Sequence, residues 1–98
     1  MAYDLVWSPI ALDDLHDIVV FIARENPDRA MSFGYELISR TERLREFPEF
    51  GRMVPEYQSP RIREIVFRPY RIVYRTNHEK KWCEIARVWH SARGVPAV

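Results

Sequence analysis

Residues 70–75 read Tyr70-Arg71-Ile72-Val73-Tyr74-Arg75. Aromatic and β-branched side chains suit a pleated strand. A period of two turns Tyr70, Ile72 and Tyr74 one way and Arg71, Val73 and Arg75 the other. One face of this strand is therefore apolar and needs a cover, and the opposite face is strongly basic. Upstream, Ile62 to Phe67 has the same character and is separated from it by Pro69. Downstream, Asn77-His78-Glu79-Lys80 makes a turn that leads into a third run, Trp82 to His90. The three runs are expected to pair as an antiparallel meander.

The cover is encoded upstream. Tyr3, Leu5 and Trp7 alternate with Asp4 and Val6 as a short strand does, and then Ser8-Pro9 changes the rules. Ser8 can cap a helix with its hydroxyl, and Pro9 suits the first helical position because its missing N–H would have had no partner there. Ala11/Leu12, Leu15, Ile18/Val19 and Ile22 recur at helical steps and mark the buried stripe, with Asp13, Asp14, Asp17 and Arg24 facing out. This helix is predicted over residues 9–25. Asn26-Pro27 repeats the cap-then-proline signal, so a second helix follows at once and the pair forms an antiparallel hairpin. Its stripe is Ala30, Phe33, Leu37, Thr41 and Leu44, and Phe47-Pro48 ends it. Pro48, Gly51, Pro55 and Pro60 then punctuate an irregular crossing. The predicted fold is α+β, in the order β-α-α-β-β-β, with the hairpin packed on one sheet face.

Ninety-eight residues make a single domain, 1–98, with one modest core. The longest apolar run, Ile18 to Ala23, is too short to cross a bilayer. The start, Met-Ala-Tyr-Asp, lacks the pattern of a secretion signal, so a cytoplasmic protein with no membrane partner is expected. Cys83 has no second cysteine to pair with and reads as a small core residue. Net charge is only +1, yet residues 1–60 carry six basic and eleven acidic side chains, whereas residues 61–98 carry nine and three. Such a split points to an acidic or polyanionic partner for the C-terminal part, or to arginines that merely solvate one sheet face.

Most familiar chemistries are excluded. The chain has no Gly-rich phosphate loop, no His-Glu-x-x-His, no Gly-x-Ser-x-Gly and no Cys-x-x-Cys. His16, His78 and His90 have no ligand spacing, so no metal and no cofactor are expected, and His16 and His78 read as surface residues. What remains is arginine together with a terminal histidine. Arg61, Arg63, Arg68, Arg71, Arg75 and Arg87 lie on or beside the late strands, with His90 near the end of the last. Guanidinium is suited to phosphate but is a poor proton shuttle, and His90 is the one side chain of the group that exchanges a proton near neutrality. Together they suit a phosphodiester under attack by its own 2′-hydroxyl. A plainer reading pairs the arginines with Glu64, Glu84 or the acidic helices and leaves His90 as the end of a strand. Trp82, Trp89, Tyr70 and Tyr74 are either base-stacking platforms or, more simply, core.

Ser8-Pro9 with Ala11-x-x-Asp14-Leu15-x-x-Ile18, the Phe47-Pro48-Glu49-Phe50-Gly51 loop, the Tyr70 to Arg75 strand and Arg87-Val88-Trp89-His90-Ser91-Ala92-Arg93 resemble the RelE/ParE superfamily of type II toxin–antitoxin toxins. The resemblance runs in register over nearly the whole chain and is closest to ParE-like, plasmid-stabilising members. It implies a growth-inhibiting toxin, held inactive by a cognate antitoxin whose extended segment wraps it in a hetero-oligomer. The implied target is DNA gyrase, bound and poisoned without catalysis. The alternative is a RelE-like ribosome-dependent mRNA endoribonuclease. There Arg71 matches the strand arginine that contacts phosphate, His90 resembles a terminal histidine used as acid or base, and Arg61 or Arg87 lends charge. This chain departs from the nucleases in lacking their lysine-rich segment, offering Glu49, Arg52 and Glu56 instead, and in placing Ser91 where one branch has an aromatic residue. Every one of these readings expects the arginines of the late strands to be free of internal carboxylate partners.

Overall fold

The computed structural model describes residues 2–98. Strand β1 (Asp4–Trp7) leads into helix α1 (Pro9–Ala23) and helix α2 (Pro27–Glu42), followed by one tighter helical turn and then β2 (Arg52–Met53), β3 (Ile62–Phe67), β4 (Tyr70–Asn77) and β5 (Trp82–His90). Both helix starts are made as the sequence indicates. The Ser8 hydroxyl accepts the Ala11 N–H at 3.0 Å, and Asn26 accepts the Arg29 N–H at 3.0 Å. Helix α1 stops at Ala23, two residues short of the expected 25, where the Glu25 N–H closes a tighter three-residue turn on the Ile22 carbonyl.

The late strands form the expected antiparallel meander, but the sheet is larger than the meander, with five strands in the order β1-β5-β4-β3-β2. Strand β1 pairs parallel to β5, which is possible because the helical hairpin supplies the long crossover that parallel neighbours need. Strand β2 lies within what the sequence suggested was an irregular crossing. Its two residues pair with Arg63 and Glu64 of β3, and a strand that short has no period to read.

Tyr70, Ile72 and Tyr74 do face the hairpin, where Phe33 packs on Phe67 and Tyr70 at ring separations of 5.3 and 5.6 Å. Cys83 lies fully buried in the same core, and burial pushes its thiol up to about 11. Two expectations for α1 are corrected. Leu12 is exposed rather than part of the stripe, and Asp14 is not a solvent residue. Strand β1 ends opposite Ile85, so the rest of β5 has no strand neighbour on that side. The start of α1 fills the gap. The Ser8 hydroxyl donates to the Ala86 carbonyl, and the Asp14 carboxylate accepts the Val88 N–H at 3.0 Å.

The Phe47 to Gly51 loop is tied to the core by one phenol. Tyr74 donates to the Pro48 carbonyl and accepts the Gly51 N–H, both at 2.9 Å, and burial pushes its pKa up to about 12. The approach is so close that a Cβ on Gly51 would sit 2.5 Å from the Glu64 carbonyl oxygen. Tyr74→Phe leaves a buried donor and acceptor without partners and should cost about 1–3 kcal/mol in urea unfolding. An unchanged midpoint would mean the loop is held by other contacts.

Candidate functional site

At one end of the basic sheet face, the β3–β4 turn, the segment after β2 and the end of β5 enclose a cleft of about 610 Å³. Arg52, Glu56, Arg68, Arg71 and His90 supply its polar lining, and Pro55, Val66, Pro69 and Ala92 its apolar walls. Strand alternation places Arg71 of β4 and Glu64 of β3 on this face, two residues apart along the ladder. The Arg71 guanidinium is engaged by the protein itself through all three of its nitrogens. Its Nε donates to Glu64, its Nη2 to Glu56 at 2.9 Å and its Nη1 to the Gly94 carbonyl at 2.9 Å. Glu64 is 1% exposed and also takes the Arg52 guanidinium, at 2.6 Å. A buried carboxylate is thus clamped by two cations, the arrangement that lets charge survive out of water. Burial alone would draw the Arg71 pKa down, but its bonds to Glu64 and Glu56 outweigh that and leave it raised. The bond from Arg71 holds Glu56 below the usual carboxylate range.

Of the residues expected in a site, Arg71 and His90 do share this cleft, whereas Arg61 and Arg87 do not line it. His90 ends β5 with its ring edge-on to Tyr70 at 5.3 Å. Its Nδ1 accepts the Ala92 N–H at 3.1 Å, so the neutral ring carries its proton on Nε2. Arg61 lies at the far end of β4, its carbonyl accepting the Thr76 N–H. Arg87 grips Asp14 of α1 through two bonds, at 2.8 and 3.0 Å, and this raises its pKa. Of the loop residues, Arg52 and Glu56 belong to the cleft. Glu49 lies elsewhere, beside Arg63 and His78. His16 and His78 are at the surface, as expected, although His78 shares a 2.7 Å hydrogen bond with the Tyr3 hydroxyl.

The expectation of an arginine face free of internal carboxylates is therefore corrected. Arg71 pairs with Glu64 and Glu56, Arg75 with Glu84, Arg63 with Glu49 and Arg87 with Asp14. Register supplies two of these pairs, and the crossing loop and α1 supply the others. Arg75 and Glu84 are direct cross-strand neighbours, and Glu64 lies diagonally from Arg71. The plainer sequence reading, with Glu64, Glu84 and an acidic helix as partners, describes the protein. Among the arginines from residue 61 onward, Arg61, Arg68 and Arg93 have no carboxylate partner among the described residues, and Arg93 instead covers the Trp89 ring at 3.9 Å. The significance of Arg68 was not separable from that of its neighbours in the sequence, since only its place in the cleft together with the ion-pair pattern singles it out.

Removing the Glu64 carboxylate, as in Glu64→Ala, leaves Arg71 buried with half its compensation and should cost about 3–5 kcal/mol in equilibrium unfolding. A loss under about 1 kcal/mol would show that the clamp is not what orders this face. Glu56 tests the same network by pH. Its pKa is lowered on folding, so its contribution is complete above the usual value of 4.5 and is lost as pH falls through the lowered folded value. Wild type should exceed Glu56→Gln in stability at neutral pH, with the two curves converging in acid, and parallel curves would contradict the assignment.

The sequence matches the family described as the ParE toxin of type II toxin–antitoxin system, parDE, over residues 5–95. No curated protein matches it. Among solved structures the fold is shared with the chromosomal ParDE toxin–antitoxin system of P. aeruginosa (TM-score 0.76, 20% identity, 91% of this chain and 96% of that one). It is shared too with the free toxin RelE of E. coli, studied as a mutant (TM-score 0.70, 20% identity, 96% and 88%). A third likeness is the RelBE2 toxin–antitoxin complex of Mycobacterium tuberculosis (TM-score 0.66, 20% identity, 92% and 99%). At such identities these structures speak to fold alone, while the family match covers nearly the entire chain. This chain belongs to the ParE toxin family of type II toxin–antitoxin systems.

Proposed function

We propose that this toxin arrests growth by binding and poisoning DNA gyrase without chemistry of its own, and that a cognate antitoxin restrains it in a hetero-oligomeric complex. The target puts its action in the cytoplasm, in keeping with the plasmid-stabilising role of ParE-like proteins. The pairing of the late-strand arginines leaves gyrase binding to rest on other surfaces than the basic face, and what favours binding over cleavage is the state of Arg71. Its side chain is committed to Glu64, Glu56 and the Gly94 carbonyl, so the residue that would neutralise a scissile phosphate is already neutralised. Arg61 and Arg87, which would add charge to such a centre, stand outside the cleft. The outer side of the helical hairpin also suits a protein partner, with Phe21 65% exposed and Tyr35 70% exposed. Exposed apolar side chains of this size on an acidic surface favour protein docking over nucleic acid. Solved toxin–antitoxin complexes of the same fold support a cognate antitoxin here.

One observation favours the second reading, a ribosome-dependent mRNA endoribonuclease: Arg71 and His90 line the same cleft. The two readings part on His90. If the toxin only binds, His90→Gln should leave growth arrest and inhibition of gyrase supercoiling essentially intact. If His90 moves a proton, the substitution should reduce cleavage by about 10²–10⁴. Gyrase that supercoils normally at saturating toxin, with new mRNA ends after induction, would reject the gyrase reading.

A further inference from the structure

We infer that the Arg68 end of the cleft is a receptor for one carboxylate of an extended peptide, flanked by apolar side chains, and that this peptide belongs to the antitoxin. The inference rests on the toxin–antitoxin reading above and adds the place and chemistry of the contact. Three guanidiniums, those of Arg52, Arg68 and Arg71, meet here with only two internal carboxylates, Glu56 and Glu64. One positive charge is left over. It belongs to Arg68, which is exposed in the β3–β4 turn and has no carboxylate partner among the described residues. Arg52 adds donors at the same mouth, since its Nε and Nη2 bind Glu64 while its side chain stays 62% exposed. His90 contributes an Nε2–H donor, because its Nδ1 is occupied by the Ala92 N–H.

The walls decide between a peptide and a nucleic acid. Pro55, Val66, Pro69 and Ala92 line the cleft, and Val66 is 41% exposed, so the leftover charge sits among apolar contacts. A strand of phosphates needs a track of unpaired cations and aromatic faces for its bases. Here the neighbouring cations are paired, Tyr70 packs on Phe33 and His90, and Trp89 lies beneath Arg93 and Arg87. A single carboxylate with apolar neighbours matches one spare cation in an apolar cleft. Charge complementarity of this kind sets register and partner choice.

The test uses the full-length toxin and the full-length antitoxin encoded beside it. Calorimetry with wild-type toxin, Arg68→Gln and Arg68→Glu should show progressive weakening, about tenfold or more for Arg68→Glu. Lysine substitution of one acidic residue in the antitoxin should restore binding to Arg68→Glu while weakening binding to wild type. Arg68 is exposed and forms no side-chain bond in the protein, so both variants should fold, and Arg68→Gln keeps the size of the side chain if reversal does not. Equal affinity of wild type and Arg68→Glu for the antitoxin would overturn this inference and leave the toxin–antitoxin reading standing. Failure of wild type to bind any neighbouring antitoxin, with no arrest on induction, would remove the reading itself. Binding of a ten-nucleotide single-stranded RNA that Arg68→Glu abolishes, with antitoxin affinity unchanged, would overturn the inference in favour of a phosphate site.

Discussion

The Glu64 carboxylate is the constraint on which one whole face of this protein depends. Removing a carboxylate from water costs several kcal/mol, and only close, well-bonded cations offset it. Glu64 meets that condition through Arg71 on one side and Arg52 on the other. In doing so it ties β3 to β4 and to the short β2, and through the remaining donors of Arg71 it reaches Glu56 in the following segment and Gly94 in the C-terminal tail. Tyr57 fastens that tail again, its hydroxyl donating to the carbonyl of the fully buried Pro96. The sheet face away from the hairpin is thus closed by polar bonds, whereas the hairpin face is closed by Phe33, Leu37, Ile72 and Ile85 in an apolar core.

The same requirement explains how the uneven charge of the sequence is resolved. The acidic first part and the basic last part face each other inside the monomer as well as offering surfaces to partners. Asp14 of α1 meets Arg87 of β5, and Glu49 and Glu56 of the crossing meet Arg63 and Arg71. A charge asymmetry that suggests a partner from sequence is here spent largely on internal pairing, and the surplus that remains is small and local.

Much of this fold was legible in the chain. The two cap-then-proline signals at Ser8-Pro9 and Asn26-Pro27 locate both helices because local hydrogen bonding alone decides them. Alternation over Tyr70 to Arg75 sorts the faces of β4 for the same reason. What was not legible depends on contacts between distant segments. Strand β2 exists only because β3 lies beside it. Asp14 has the spacing of a solvent residue, yet it is drawn in by an N–H that β1 is too short to reach. The candidate site was half visible: Arg71 and His90 do line one cleft, but register, which periodicity does not specify, brings Glu64 to Arg71, the crossing loop brings Glu56, and Arg68 in the turn is left without a carboxylate.

If Arg71 serves the fold rather than a phosphate, its charge and that of Glu64 should be dispensable together. Replacing a buried pair by apolar side chains of similar size is often neutral, since both desolvation costs vanish at once. The decisive measurement is growth arrest by the double variant Arg71→Met, Glu64→Met, with folding checked by unfolding midpoint and antitoxin binding. A folded double variant that still arrests growth is the predicted result. A folded, antitoxin-binding double variant that no longer arrests growth would contradict it and return Arg71 to the chemistry of the target.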